Sequence, residues 1–365
     1  MLETALAHLR RVAPDTLDIP ILQPADPFLE TAGEDLRRRI FITQDAGGMA
    51  QCLRPEFTIP ICLEHGDAGD HRRYAYGGTV FRQMRDGASE FQQAGLEDLG
   101  TGDAMAADAA CLADALAALA TLGIADMQTS LGDQALFGVV VDNLKLPQPL
   151  AERLLRNFGS GEQMRDLLNR LTEGTEARHS DPVAGQLADA GDEAGLIAHI
   201  EQIMAESGLS PRAGRDPAHI AQRMIEQVRQ RGFTLSGHGA ELLRGFLDLE
   251  TSAGGAVAAI HAFGAGAGMD FGTVLEQFEQ RLEGLVARDV ALDRITFKAS
   301  LGRKLDYYTG MVFEVFAHSL PQAVAGGGRY DRLCTLLGSP SPVPAVGFSL
   351  SLDRVAAALQ GRASQ

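Results

Sequence analysis

Hydrophobic and polar positions change their period twice along the 365 residues, and the two changes divide the chain into three parts. In the first part short apolar runs alternate with polar residues. Ile40-Phe41-Ile42 and residues 54–60 read as short strands on either side of the Gly47-Gly48 turn. Residues 74–82 and 90–99 flank the polar stretch Gln83-Met84-Arg85-Asp86-Gly87-Ala88-Ser89, the pattern of a long hairpin with a solvent-facing loop. Residues 104–122 then carry Ala, Leu and Cys at three- and four-residue spacing, which predicts a helix that Gly123 ends.

Between residues 148 and 290 the period is helical. Leu196, Ile197, Ile200, Ile203 and Met204 share one face, as do Ile220, Met224, Ile225 and Val228, and later Val274, Phe278, Leu282 and Leu285. Asp181-Pro182, Ser210-Pro211, Asp216-Pro217 and the glycine-rich residues 264–268 predict turns between helices, and Gly254-Gly255 reads as loop punctuation. There is no internal repeat. Strand periodicity returns over residues 294–298, 307–316 and 345–350, and a helix is expected from Asp353. The expected organisation is an α/β (α+β) core made of residues 1–147 and 291–365, interrupted by a helical insertion over residues 148–290.

A hydrophobic content of 45% over this length can bury a large core. The 32 basic residues against 48 acidic ones leave a net charge of −16, which opposes a broad phosphate-binding surface. Nucleic-acid affinity rests on Lys and Arg neutralising phosphates, so no nucleic-acid partner is expected. Cys52, Cys62, Cys111 and Cys334 lack any Cys-x-x-Cys spacing, and His199, His238 and His261 lack ligand spacing. Neither a disulfide framework nor a metal site is expected, and the thiols should be reduced and buried. The N-terminal residues lack the apolar core of a signal peptide and no run approaches membrane-spanning length, so a cytoplasmic protein with no membrane association is expected.

Three places carry candidate chemistry. In an extended segment alternate side chains face one way, which groups Arg54, Glu56 and Thr58, and separately Gln93, Gly95 and Glu97. If the two faces meet over a cleft they present carboxylates, hydrogen-bonding groups and, at Gly95, room for a ligand near the backbone, a set suited to a small zwitterion. Arg82 and Arg303 carry the planar fork that pairs with a carboxylate or phosphate. Taken singly, each of these side chains reads first as part of a solvated ion pair on a half-exposed sheet, since charged residues usually sit in water. The third place, Gly326-Gly327-Gly328-Arg329, lacks the Gly-Lys-Ser/Thr of a phosphate loop and reads as a turn between strands.

The joint order of the segments goes further. Leu53-Arg54-Pro55-Glu56-Phe57-Thr58, Val80-Phe81-Arg82, Glu90-Phe91-Gln92-Gln93-Ala94-Gly95-Leu96-Glu97, Arg303-Lys304-Leu305-Asp306-Tyr307-Tyr308-Thr309-Gly310, Gly327-Gly328-Arg329-Tyr330-Asp331 and Pro344-Ala345-Val346-Gly347-Phe348 through Asp353-Arg354 resemble histidyl-tRNA synthetase. The resemblance covers nearly the whole chain and is thin across the helical insertion. It implies a class II synthetase fold, an antiparallel sheet flanked by helices, and a dimer formed through the first motif of that core. It also implies a histidine pocket: Glu56, Thr58 and Gln93 around the α-ammonium, Arg82 and Arg303 near the carboxylate, Glu97 and Tyr308 at the imidazole, with Tyr307 in the same set. No cofactor is implied. A neutral imidazole both donates and accepts a hydrogen bond, which fits these partners.

The departures carry as much meaning. Where the synthetases place a glutamate that helps hold ATP two residues after the hairpin arginine, this chain has Met84 after Arg82-Gln83; the loop is shortened, Ser89 stands at an arginine position, and Phe57 and Lys304 replace glycines. Arg354 keeps the third-motif arginine position, so Arg82 and Arg354 mark a vestigial nucleotide site. Phosphoryl chemistry needs several preorganised cations, so histidine binding is expected to outlast adenylation. The chain also ends where the synthetases begin their anticodon-binding domain. This combination is similar to the family of regulatory subunits of ATP phosphoribosyltransferase. That resemblance implies a non-catalytic chain in a hetero-oligomer with the short-form catalytic subunit, activating it and taking part in feedback inhibition by histidine at the first step of histidine biosynthesis. The alternative is a free-standing histidine-adenylating ligase or a truncated histidyl-tRNA synthetase, favoured by Arg82, Arg303 and Arg354 and opposed by the missing glutamate and short loop.

Overall fold

The computed structural model describes residues 1–66, 70–85, 87–174, 181–207, 216–229, 234–302 and 307–363. Strands β1 (Leu22–Pro24), β2 (Ile42–Gln44) and β3 (Ala50–Leu53) form a small antiparallel sheet in the order β1-β3-β2. The remaining strands, β4 (Arg72–Phe81), β5 (Glu90–Leu99), β6 (Met127–Asp133), β7 (Glu250–Ser252), β8 (Ile295–Lys298), β9 (Met311–Ala317), β10 (Ala323–Arg329) and β11 (Ala345–Ser351), form one sheet in the order β4-β5-β11-β10-β9-β6-β8-β7. Its pairings are antiparallel except for β6 with β8, so the sheet is mixed where a purely antiparallel one was expected.

The predicted hairpin is β4 and β5, paired from Arg72 with Leu99 to Phe81 with Glu90. The predicted helix is Ala104–Thr121, capped by Asp103, whose carboxylate accepts the Ala106 N–H at 3.0 Å, and followed by Gly123 at φ +96°. Its length and composition would let it cross a membrane. Here it is a core helix, packed on β5, β9, β10 and β11 with Ala109, Leu112, Ala115 and Leu119 fully buried.

Two expected elements are different in kind. Residues 54–60 are not a strand: β3 stops at Leu53 and a helix, Thr58–His65, begins five residues later. Pro55 has no N–H to donate to a ladder, and the Glu56 carboxylate accepts the N–H groups of Thr58 at 2.7 Å and Ile59 at 2.9 Å, capping the helix start. Gly326-Gly327-Gly328-Arg329 is not a turn but the second half of β10, paired with β9 on one side and β11 on the other. A Cβ on Gly327 would lie 2.2 Å from the Gly347 carbonyl oxygen, so the glycine permits a close approach of two strands. Among smaller shifts, the Ile40-Phe41-Ile42 strand falls at β2, and Gly254-Gly255 and residues 264–267 lie inside the helix Ala253–Ala267, which ends at Gly268 in the left-handed region. Asp181-Pro182 and Asp216-Pro217 are helix starts, each aspartate accepting an N–H just beyond it, whereas Ser210-Pro211 lies outside the described residues.

Two compact units result. The first comprises Met1–Lys145, Leu155–Gly161 and Leu242–Gln365, and so takes in the helices Ala253–Ala267 and Gly272–Val286. The second comprises Leu146–Leu154 and Glu162–Glu241, with the helices Pro182–Ala190, Glu193–Glu206 and Pro217–Arg229 closing around Ala184, Leu196, Ile200, Met204 and Ile225.

Gly272–Val286 is held in the first unit by its buried Phe278, Leu282 and Leu285 and by a buried ion network. Arg281 bonds Asp108 at 2.6 Å and Asp133 at 3.0 Å; Arg329 bonds the other oxygen of Asp108 at 2.8 Å and Asp331 at 2.7 Å. Burial pushes the Asp133 carboxyl up, and the guanidinium of Arg281 opposes it. Charges out of water need such complete pairing, and removing one partner strands the rest. Asp108→Ala leaves two buried arginines short of their shared carboxylate, and the expected loss is about 3–5 kcal/mol in urea unfolding. A loss of under about 1 kcal/mol would place the network among ion pairs that add little.

Candidate functional site

The first unit encloses a cavity of about 450 Å³ against β5, β10 and β11. Three structural choices create it. The alternation along β5 turns Gln93, Gly95 and Glu97 to one side. The helix start at Thr58 brings Glu56 and Thr58 opposite them, and Tyr307, Tyr308 and Tyr330 close the remaining wall.

Glu97 sits at the centre and is 1% exposed. Its Oε1 accepts the Thr58 hydroxyl at 2.7 Å and its Oε2 accepts the Tyr330 hydroxyl. Gly347, directly across β11 from Glu97, is required: a Cβ there would lie 1.7 Å from Oε2. Gly95 is equally constrained, since its Cβ would lie 2.3 Å from the Tyr76 hydroxyl, which donates to the Phe348 carbonyl at 3.0 Å. Burial raises the Glu97 carboxyl to about 8, helped by the nearby Glu56 and opposed by the hydroxyls of Tyr330, Thr58 and Tyr76. Burial also raises Glu56, against the N–H groups of Ile59 and Thr58 and the charge of Arg82. Gln93 Oε1 is buried and has no hydrogen-bond partner among the described residues. Two buried carboxyl groups and an acceptor without a partner make the cavity suited to a ligand group rich in hydrogen-bond donors.

The sequence-predicted residues meet to different degrees. Glu56, Thr58, Arg82, Gln93, Glu97, Tyr307 and Tyr308 all line the one cavity. Arg303, with Lys304, lies outside the described residues. Arg354 is not among the lining residues; its guanidinium donates to the Ala323 carbonyl at 2.8 Å on an exposed side chain. Arg54, grouped with Glu56 by strand alternation, turns away and is buried, bonding the carbonyls of Ile19 and Thr79 beneath the Phe57 ring. Phe57 in turn stacks on Tyr76 at 4.7 Å between ring centres, so the residue that departs from the synthetase pattern is structural packing. Arg82 donates from Nε to the Pro55 carbonyl at 2.8 Å and lies 5.3 Å over Phe91.

Sequence reasoning missed Tyr330, Tyr76 and Gly347 as parts of the site. Their signal was present only as spacing: once β5 and β11 are paired, position 347 faces Glu97 and must be small.

The arrangement is a core of the class II synthetase type. The family model described as histidyl-tRNA synthetase matches residues 6–231 and 219–355. By structure the chain is similar to an ATP phosphoribosyltransferase regulatory subunit/histidyl-tRNA synthetase from Bacillus halodurans, with a TM-score of 0.68, 20% identity and coverage of 98% of this chain and 77% of that one. It is also similar to histidyl-tRNA synthetase from Nostoc sp. PCC 7120, with a TM-score of 0.63, 15% identity and coverage of 99% and 71%. These likenesses establish the expected fold. By sequence it is 47% identical over 342 residues to a protein of Allorhizobium ampelinum named ATP phosphoribosyltransferase regulatory subunit, covering 93% of this chain and 92% of the relative. A protein of the same name in Brucella anthropi is 46% identical over 348 residues, with coverage of 93% and 92%. The chain belongs to the family of ATP phosphoribosyltransferase regulatory subunits.

Glu97 also makes stability depend on pH. Its folded value lies above the ordinary one, so the folded chain keeps a proton that the unfolded chain loses; the contribution is complete below the ordinary value of 4.5 and is lost as pH rises to about 8. Wild-type unfolding free energy is expected to fall by a few kcal/mol between about pH 5 and about pH 8, and Glu97→Gln to flatten that slope. Parallel pH profiles for the two proteins would assign the dependence to other groups.

Proposed function

We propose that this chain is the regulatory partner of a short-form ATP phosphoribosyltransferase catalytic subunit, that it activates that subunit, and that it carries the histidine site used in feedback inhibition. The observation that carries the reading is 47% identity over 93% of the chain to a named regulatory subunit. The chemistry on the phosphoribosyl substrate belongs to the partner.

The cavity supports histidine as the ligand. Its α-ammonium meets Glu56, Thr58 and the unsatisfied Gln93 Oε1, and its imidazole meets Glu97 and Tyr308, with Tyr307 packed beside them. Its carboxylate is assigned to Arg82, which lines the cavity, and to Arg303, which the resemblance places at the same group and which lies outside the described residues. Feedback then follows from linkage: histidine that binds the inhibited assembly more tightly than the active one shifts the balance between them by that difference. The net charge of −16 supports a role without nucleic acid, and the absence of any apolar run long enough for an anchor outside the buried helix Ala104–Thr121 among the described residues supports a cytoplasmic setting. Self-association through the synthetase-like core is supported by the small sheet, where Ile21, Leu22, Ile42 and Met49 are 48%, 56%, 40% and 62% exposed.

The test is the initial rate of phosphoribosyl-ATP formation by the short catalytic subunit of the same organism, alone and with this chain, each with and without histidine. The rate is expected to rise when the chain is added and to become more sensitive to histidine. An unchanged rate, with no co-elution of the two chains, contradicts the role.

A further inference from the structure

The helical second unit is made of two chain segments, and the short connector between them, Leu155–Gly161, belongs to the first unit. The connector leaves the helix Gln148–Arg156 through a tight turn. In it the carbonyls of Leu155 and Asn157 accept the N–H groups of Phe158 at 3.2 Å and Ser160 at 3.1 Å. Phe158 is buried, and its ring stacks on Phe137 with 4.6 Å between ring centres. Gly159, the next residue, lines the cavity.

Ser300, Leu301 and Gly302, which follow β8, line the same cavity. This wall meets main chain at two places. A Cβ on Gly132 of β6 would lie 2.5 Å from the Leu301 carbonyl oxygen. A Cβ on Gly159 would lie 2.4 Å from the Gly302 carbonyl carbon, and one on Gly302 would lie 2.7 Å from the Gly159 Cα. The start of the wall is tied to the sheet, since the Ala299 N–H donates to the Leu249 carbonyl and the Leu301 N–H to the Lys298 carbonyl, both at 2.9 Å. Its end rests on the connector. Gly159 has φ +80°, which side chains adopt only at a cost, and main chain pressed on main chain cannot yield by turning a side chain. In a close-packed interior the place of Gly302 therefore follows that of Gly159.

We infer that Gly159 is a positioning residue of the ligand cavity: its contact with Gly302 sets the wall formed by residues 300–302, so the connector of the helical unit controls how tightly the cavity holds its ligand. The inference rests on the reading of the cavity as a histidine site. It gives the feedback a route through the chain. By linkage, a partner that displaces the connector lowers histidine affinity, and histidine opposes that displacement by the same free energy.

The test is titration calorimetry of histidine on the full chain, using wild type, Gly159→Ala, Phe158→Leu and Gly191→Ala, with thermal unfolding confirming that each variant is folded. Gly191 has φ +67° and open space where a Cβ would stand, so Gly191→Ala carries the backbone strain without the contact. Gly159→Ala is expected to weaken histidine by at least about fivefold, while Gly191→Ala stays within about twofold of wild type. Phe158 does not line the cavity, and Phe158→Leu is expected to weaken histidine by at least about threefold by loosening the connector. A folded Gly159→Ala with wild-type affinity, or equal losses in Gly159→Ala and Gly191→Ala, overturns the inference and leaves the histidine reading standing. If Gly159→Ala does not fold, Phe158→Leu decides, and wild-type affinity there overturns the inference. A wild-type chain that does not bind histidine overturns that reading and the inference with it.

Discussion

A carboxylate walled in beneath a β-sheet is the constraint on which the site depends. Glu97 is held by two hydroxyls and faces a second buried carboxylate, Glu56. Such a group is tolerated only if its oxygens are satisfied and the space around it is reserved. The reservation is visible strand by strand. Gly347 leaves room for Oε2, Gly95 leaves room for the Tyr76 hydroxyl, and Gly327 lets β10 and β11 close. Glu56 is satisfied differently, by the free N–H groups at the start of the helix Thr58–His65, which also complements its charge. The pocket is therefore a preformed pair of buried carboxyl groups whose space the glycines reserve.

Scaffold and pocket use ionic groups in opposite ways. The network of Asp108, Asp133, Arg281 and Arg329 pairs each charge with an opposite one and fastens the helices Ala104–Thr121 and Gly272–Val286 to the sheet. The cavity leaves its carboxylates to hydroxyls and main-chain donors. A closed network rigidifies, whereas an incompletely matched one invites a partner. In the proposed role that partner is histidine, and the energy released on binding becomes a bias between assemblies instead of a contribution to catalysis.

Much of this was legible in the sequence because it is local. The β4–β5 hairpin, the helix Ala104–Thr121 and the return to strands after residue 291 follow from period and punctuation within short windows. Strand alternation grouped Glu56 with Thr58 and, separately, Gln93 with Glu97, and the resemblance joined the two groups; alternation applies only to β5, and Glu56 and Thr58 reach the same cavity through a helix start. What was not legible is set by pairing at long range. The glycine run at 326–328 looks like a turn until its neighbours on both sides are known. Arg281 and Asp108 meet across 173 positions, and neither stands out in its own helical stretch. Tyr330 and Gly347 belong to the site only once β10 and β11 lie beside β5.

The claim that a buried carboxylate makes this fold a histidine receptor is tested most directly by equilibrium binding of histidine to the full chain, wild type against Glu97→Gln. The account predicts one histidine per chain, with affinity at least about tenfold weaker in the variant because the Glu97 carboxyl can release its proton to face the ligand's cation as a carboxylate and an amide cannot. No binding to the wild type, or equal affinity in the two proteins, would contradict it.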